Sequence, residues 1–276
     1  MEEDTWSKKK VYGIDFSGAK DAPKKIWISE GAITGHRLRI ENCWKLADLT
    51  AAGTDRDQVF RFLMEFIKGK DHAAFGFDFP FGLPMVLVKD NNWATFIMRF
   101  SHYYRSPEHF YRVCHEVTNG LEVKRLTDGV AKAPLCPYNI RLYRQTYFGI
   151  QEILYPLVRD KIACVLPMQR PLKAKPWILE VCPASTLKSE SLYCRYKGSS
   201  DSDMIARKMI LEKIITKGIK VDLSAEIRNI AIGDTHGDAL DSIIAAIATC
   251  RALHTLYEIK DPSKREVYMR EGFIYI

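Results

Sequence analysis

The stretch Val11-Tyr12-Gly13-Ile14-Asp15-Phe16-Ser17-Gly18 sets an acid at the end of a β-like apolar run, directly before a glycine turn. An ionised carboxylate among apolar neighbours must be hydrogen-bonded, paired or bound to a cation, or else stay protonated. Open α/β sheets place ligands at strand ends of this kind, so the segment points to a first strand that delivers Asp15 to a site. An Asp that caps the turn through nearby backbone N–H groups gives the same pattern.

Outward from this segment, Lys25 to Ser29 and Ile33 to Trp44 are also β-like, separated by Lys20 to Lys24 and by Glu30 and Gly31. They predict three consecutive strands joined as hairpins. Asp55 to Lys68 carries Val59, Phe60, Leu63, Phe66 and Ile67 at helical spacing, which predicts a crossover helix. A strand from Ala73 to Phe79 then runs into Pro80, Gly82 and Pro84, which end it. Trp93 to Leu157 reads as mostly helical, broken by a loop around Gly120 to Pro137, and predicts a helical insertion at about 92–160 over one edge of the sheet. Ile162 to Leu166 and Trp177 to Cys182 read as strands, Met204 to Lys217 and Asp238 to Tyr257 as helices, and Glu266 to Met269 with Phe273 to Ile276 as a closing hairpin. The order predicts a single domain over 1–276, an α/β sheet flanked by helices.

With 276 residues and 47% hydrophobic content the chain can bury one large core. Its longest apolar run, Ile243 to Ala248, falls well short of the roughly 20 residues of a membrane helix. Met1 to Lys10 has no apolar stretch of signal-peptide type, so the expectation is a soluble, cytoplasmic protein with no membrane partner. The seven cysteines include no CxxC pair and read as reduced core residues, not a zinc site or a disulfide frame. A formal net charge of +7 suits an anionic partner.

Four more acids stand where acids are expensive. Asp78 lies between Phe77 and Phe79 ahead of Pro80, although a solvent-facing Asp in a half-buried strand would alternate in the same way. Glu180 sits inside the apolar run Trp177 to Cys182, where Glu is disfavoured without a partner. Asp238 and Asp241 are three apart, on one face of a helix start. The macrodipole alone can account for acids there, but the residues around Asp241 are apolar on most sides. Acids brought together repel one another, and hard cations such as Mg²⁺ are what all-oxygen sites hold.

On these residues the chain resembles the ribonuclease-H-like superfamily, and more closely the predicted nuclease family described as domain of unknown function 429. The resemblance rests on the Asp15 segment, Asp78-Phe79-Pro80, Glu180-Val181-Cys182-Pro183-Ala184, His236-Gly237-Asp238-Ala239-Leu240-Asp241 and the closing Glu271-Gly272-Phe273-Ile274-Tyr275. It implies a five-stranded mixed sheet, three antiparallel strands followed by two parallel ones, with the acids meeting at its centre. It implies a last helix like that of Holliday-junction resolvases, and with it a possible twofold homodimer. The implied activity is metal-dependent hydrolysis of phosphodiester bonds in nucleic acid, DNA or RNA, with two Mg²⁺ or Mn²⁺ ions roughly 3.5–4 Å apart clamping an in-line displacement. Asp15 is then the bridging ligand, with Glu180, Asp241 and Asp78 completing the set and Asp238 either a ligand or a water-positioning base. Two later strands carry acids here, so whether Asp78 or Glu180 is the ligand stays open.

The same resemblance places Lys124 and Arg125, and Arg141, Arg144 and Gln145, near the acids as substrate contacts. Arg141 and Arg144 also fit the exposed stripe of an amphipathic helix. His236 fits a proton shuttle, a phosphate contact or a helix-cap residue. His102 to Arg112 mixes aromatics with bases, as single-strand binding surfaces do, though such spacings also pack a core. Two other classes compete: a catalytically silent nucleic-acid-binding protein, and a sugar-kinase or actin-like ATP-dependent phosphotransferase. The second also begins with an Asp before a glycine turn but needs paired glycine-rich loops that this chain lacks.

Overall fold

A computed structural model describes residues 9–49, 55–255 and 261–276 of the chain. Its strands are β1 (Lys10–Asp15), β2 (Trp27–Thr34), β3 (Arg37–Lys45), β4 (Ala73–Phe77), β5 (Cys164–Leu166), β6 (Trp177–Val181), β7 (Lys220–Asp222) and β8 (Ile274–Tyr275). They form one mixed eight-stranded sheet in the order β5-β6-β4-β1-β2-β3-β7, with β8 pairing on β6. β1, β2 and β3 are antiparallel neighbours, whereas β4 is parallel to β1 and β6 parallel to β4. The fold is therefore α/β, and the central strands are covered on both faces, which is why β4 reads as an unbroken apolar run and β6 as one broken only by Glu180.

Alternation along the strands divides two cores. Tyr12, Ile14, Phe75 and Phe77 face one core, shared with the helices Arg56–Ile67, Trp93–Tyr103, Pro107–Val117 and Tyr143–Phe148. Val11, Ala74 and Leu179 face the other, shared with the helices Asp201–Ile214, Ala225–Gly233 and Asp238–His254. The helices between Trp93 and Arg159 thus cover a face of the sheet and not merely the expected edge. Tyr104 and Phe110 lie fully inside that core, so the aromatic character of His102 to Arg112 is packing.

The Asp238–His254 helix lies unusually close to the sheet. Gly13 pairs with Ser29 on one side and Gly76 on the other, a row without bulk across three strands. A Cβ on Gly13 would stand 2.1 Å from the Ser242 carbonyl oxygen, and one on Gly76 would stand 1.9 Å from Thr249 Oγ1. Strand glycines of this kind mark a close backbone approach. Ser29 and Ser242 hydroxyls, 2.7 Å apart, close the row.

The structure corrects two expectations and adds elements that were not expected. The β2–β3 turn falls at Gly35 (φ +56) and His36, while Glu30 and Gly31 lie inside β2, where the register shifts because Glu41 is an extra residue in β3. Glu30 belongs to the strand because it accepts hydrogen bonds from Lys10, Tyr12 and Asn42. The closing hairpin is instead a helix, Arg265–Glu271, ended by Gly272 at φ +94, after which β8 runs parallel to β6. The helices Pro183–Ser189 and Ala225–Gly233 and strand β7 carry too short a period to register in the sequence. Met1 to Lys8, and the predicted helix end at Tyr257, lie outside the described residues. Among those residues no helix is long and apolar enough to cross a membrane. All seven cysteines are unpaired thiols.

Candidate metal centre

β1 ends at Asp15, and the helix pressed on Gly13 begins at Asp238, so the two elements meet at one end of the sheet. Asp15, Asp238 and Asp241 each offer a carboxylate oxygen within 4.8 Å of the others. Asp78 stands next to them: its N–H donates to the Ile14 carbonyl at 3.0 Å, extending the β1–β4 pairing by one residue. Asp241 is buried, whereas Asp15, Asp78 and Asp238 keep partial exposure, so the cluster opens to solvent.

Burial drives the Asp15 carboxyl well above the ordinary carboxylate range, and repulsion from Asp241, Asp238 and Asp78 adds to it against the opposing pull of Lys197. Burial, reinforced by Asp241, pushes Asp78 up to about 8. Asp241 is raised by burial too, although Lys197 and Tyr196 hold it down. Carboxyls that resist ionising together are what a divalent cation stabilises, and an all-carboxylate donor set fits Mg²⁺ or Mn²⁺.

The sequence reading missed two residues of this centre. Lys197 places Nζ 2.7 Å from Asp241 Oδ2 and 3.2 Å from Asp238 Oδ1. The Tyr196 hydroxyl donates to Asp241 Oδ1 at 2.6 Å. Both lie in the irregular segment between the helices Pro183–Ser189 and Asp201–Ile214, where no periodicity marks a side chain as inward-facing. The only local signal is a tyrosine and a lysine ahead of Gly198.

Glu180 is brought near Asp78 but is already engaged. Its Oε1 lies 2.5 Å from Arg125 Nη2, and its Oε2 accepts from Arg125 Nη1 and from the Phe81 N–H, each at 2.9 Å. Arg125, expected to touch substrate, is 1% exposed and also grips Asp128 at 2.7 Å. A buried arginine needs both acids, because an unpaired buried charge is costly. Glu180 therefore serves as an ion-pair partner and Arg125 as a tie between the insertion and β6. Glu271 completes this tie, accepting from the Met85 and Leu126 N–H groups at 2.7 and 2.6 Å.

The other expected contacts are dispersed. Lys124 donates to the Ala133 carbonyl at 2.7 Å. Arg141 and Arg144 are exposed, and Arg144 pairs with Glu108 at 2.9 Å. Their segment does adjoin the centre, since a Cβ on Gly18 would stand 2.4 Å from the Arg144 carbonyl oxygen and the Gln145 amide donates to the Asp78 carbonyl. His236 points to solvent with its ring 3.9 Å from Asp234, so it neither caps the helix nor faces the acids. Comparison with known proteins gives no match to a family model, a curated protein or a solved structure.

Proposed function

We propose that the chain is a metal-dependent nuclease of ribonuclease-H-like type, hydrolysing phosphodiester bonds in nucleic acid. The observation that carries this reading is the convergence of Asp15, Asp238 and Asp241 within 4.8 Å at the end of β1. The strand order β6-β4-β1-β2-β3, three antiparallel strands and two parallel ones, supports the same family reading, with β5, β7 and β8 as additions at the edges.

Asp15, Asp238 and Asp241 would hold the cation, with Asp78 beside them. A bound Mg²⁺ or Mn²⁺ would polarise a phosphoryl oxygen and lower the pKa of attacking water. Asp78 would orient that water and take its proton as the water oxygen bonds to phosphorus, while the P–O ester bond breaks and the leaving oxygen takes a proton from solvent. Tyr196 fixes the Asp241 carboxylate through its hydroxyl on Oδ1, while Oδ2 is the oxygen that Lys197 engages. The exposed Arg141 and Arg144, beside the loop after Asp15, add attraction for a polyanion that the acids alone would repel.

The test is cleavage of labelled single-stranded, duplex, hybrid and four-way-junction substrates in Mn²⁺ and in chelator, with an Asp15→Asn, Asp241→Asn double variant alongside. Cleavage that needs both the metal and the acids is expected. Metal-dependent stabilisation without cleavage would redirect the substrate to a smaller phosphorylated molecule, and no metal effect at all would remove the reading.

A further inference from the structure

The loop that carries Tyr196 and Lys197 is fixed from behind. Buried Arg207 donates from Nη1 to the carbonyls of Tyr196 and Gly198, at 2.7 and 2.9 Å, and from Nε to the Ile232 carbonyl at 2.7 Å. The Gly198 N–H donates to the Thr235 carbonyl at 2.7 Å. Gly237, at φ +76, brings the start of the site helix onto the loop, where a Cβ would stand 2.9 Å from the Tyr196 ring and 3.1 Å from Lys197 Cγ. The backbone on both sides of Lys197 is thus clamped, while its side chain, 49% exposed, reaches Asp241 and Asp238.

The ammonium stands where the carboxylates converge. It pairs with two of the three acids of the cluster and carries a single charge, whereas a divalent cation would engage all three. We propose that Lys197 is the resident counter-ion of the centre, neutralising Asp241 and Asp238 in the metal-free protein and displaced when a divalent cation binds. The inference rests on the metal-centre reading above. Because the main chain around Lys197 stays held by Arg207, the released ammonium remains beside the cluster, within reach of an anionic substrate oxygen.

Competition of this kind is reciprocal: the ammonium weakens the metal by the factor with which the metal loosens the ammonium. The test is Mn²⁺ calorimetry on the wild type, Lys197→Met, Lys197→Arg and Asp241→Asn, together with acylation of Lys197 by an N-hydroxysuccinimide ester read by peptide mass spectrometry. Lys197→Met is expected to bind Mn²⁺ about tenfold more tightly than wild type, and Lys197→Arg about equally. Lys197 is expected to acylate slowly in the metal-free wild type and several times faster with Mn²⁺, or without metal in Asp241→Asn. Wild type that binds Mn²⁺ with Lys197 acylation unchanged, and with Lys197→Met within about twofold of its affinity, overturns the counter-ion and leaves the metal centre standing. If neither wild type nor Lys197→Met binds Mn²⁺, the metal-centre reading fails, and the inference with it.

Discussion

Gly13 of β1 lies against Ser242 so closely that a single added carbon would stand 2.1 Å from the Ser242 carbonyl oxygen. This contact sets how near the Asp238–His254 helix comes to the sheet, and so how near Asp238 and Asp241 come to Asp15, two residues along the strand. Gly13→Ala must push helix and strand apart or bend both. Overpacking of this kind costs about 1–3 kcal/mol, and here the opposing atoms are backbone that cannot rotate away. Denaturant unfolding should show at least that loss, and Mn²⁺ affinity should fall in the fraction that still folds. An unchanged midpoint would mean that the helix is not seated on Gly13.

Asp15→Asn separates the cost of the site from its use. Removing one of the mutually repelling acids should stabilise the metal-free protein while abolishing stabilisation by Mn²⁺. A gain of about 1 kcal/mol corresponds to about 2–4 °C in melting temperature for a chain of this size. Scanning calorimetry with and without Mn²⁺ reads both effects, and a variant that melts lower in both conditions would make Asp15 a turn cap and not a ligand.

Glu180→Gln distinguishes a metal ligand from an ion-pair partner. Both Glu180 oxygens are taken by Arg125 and the Phe81 N–H, so the substitution strips charge from a buried pair and should cost about 3–5 kcal/mol. Mn²⁺ affinity, measured at a temperature where the variant is folded, should equal that of the wild type. A large loss of affinity with unchanged stability would return Glu180 to the metal.

The contrast between Glu180 and Asp241 shows what a sequence can disclose. Both are acids in apolar surroundings, and that pattern states only that each must have a partner. For Asp241 the helical spacing to Asp238 and the start of an apolar helix place it at a known end of the sheet. For Glu180 the partner is Arg125, 55 residues away in the sequence and in a stretch read as loop, so no local periodicity joins them. The strands were legible where burial on both faces leaves long apolar runs, as in β1 and β4. The Arg265–Glu271 helix was not, because about two turns with a single buried tyrosine resemble a short strand as closely as a helix. Lys197 escaped, and Arg125 was named for another role, for the same reason: their partners are assembled by the fold.

The pH dependence of stability follows from Asp78. Its carboxyl, raised by burial and by Asp241 to about 8, binds its proton more tightly in the folded state than in the unfolded chain, where it titrates near about 4. Between those values the folded protein holds a proton that the unfolded chain has released, so stability falls as pH rises. The contribution is fully present below the unfolded value and gone above about 8. Each such group sets a slope of up to about 1.4 kcal/mol per pH unit. Asp15 and Asp241, raised in the same direction, share the trend, so Asp78→Asn should flatten the curve without abolishing it. Saturating Mn²⁺ should flatten it further, because a cation holds the acids ionised in the folded state alone. Urea midpoints taken across this range, with and without Mn²⁺, test the account: stability that rises with pH in the metal-free protein would show that these carboxyls ionise more readily in the folded state than in the unfolded chain, and burial would then not be what governs them.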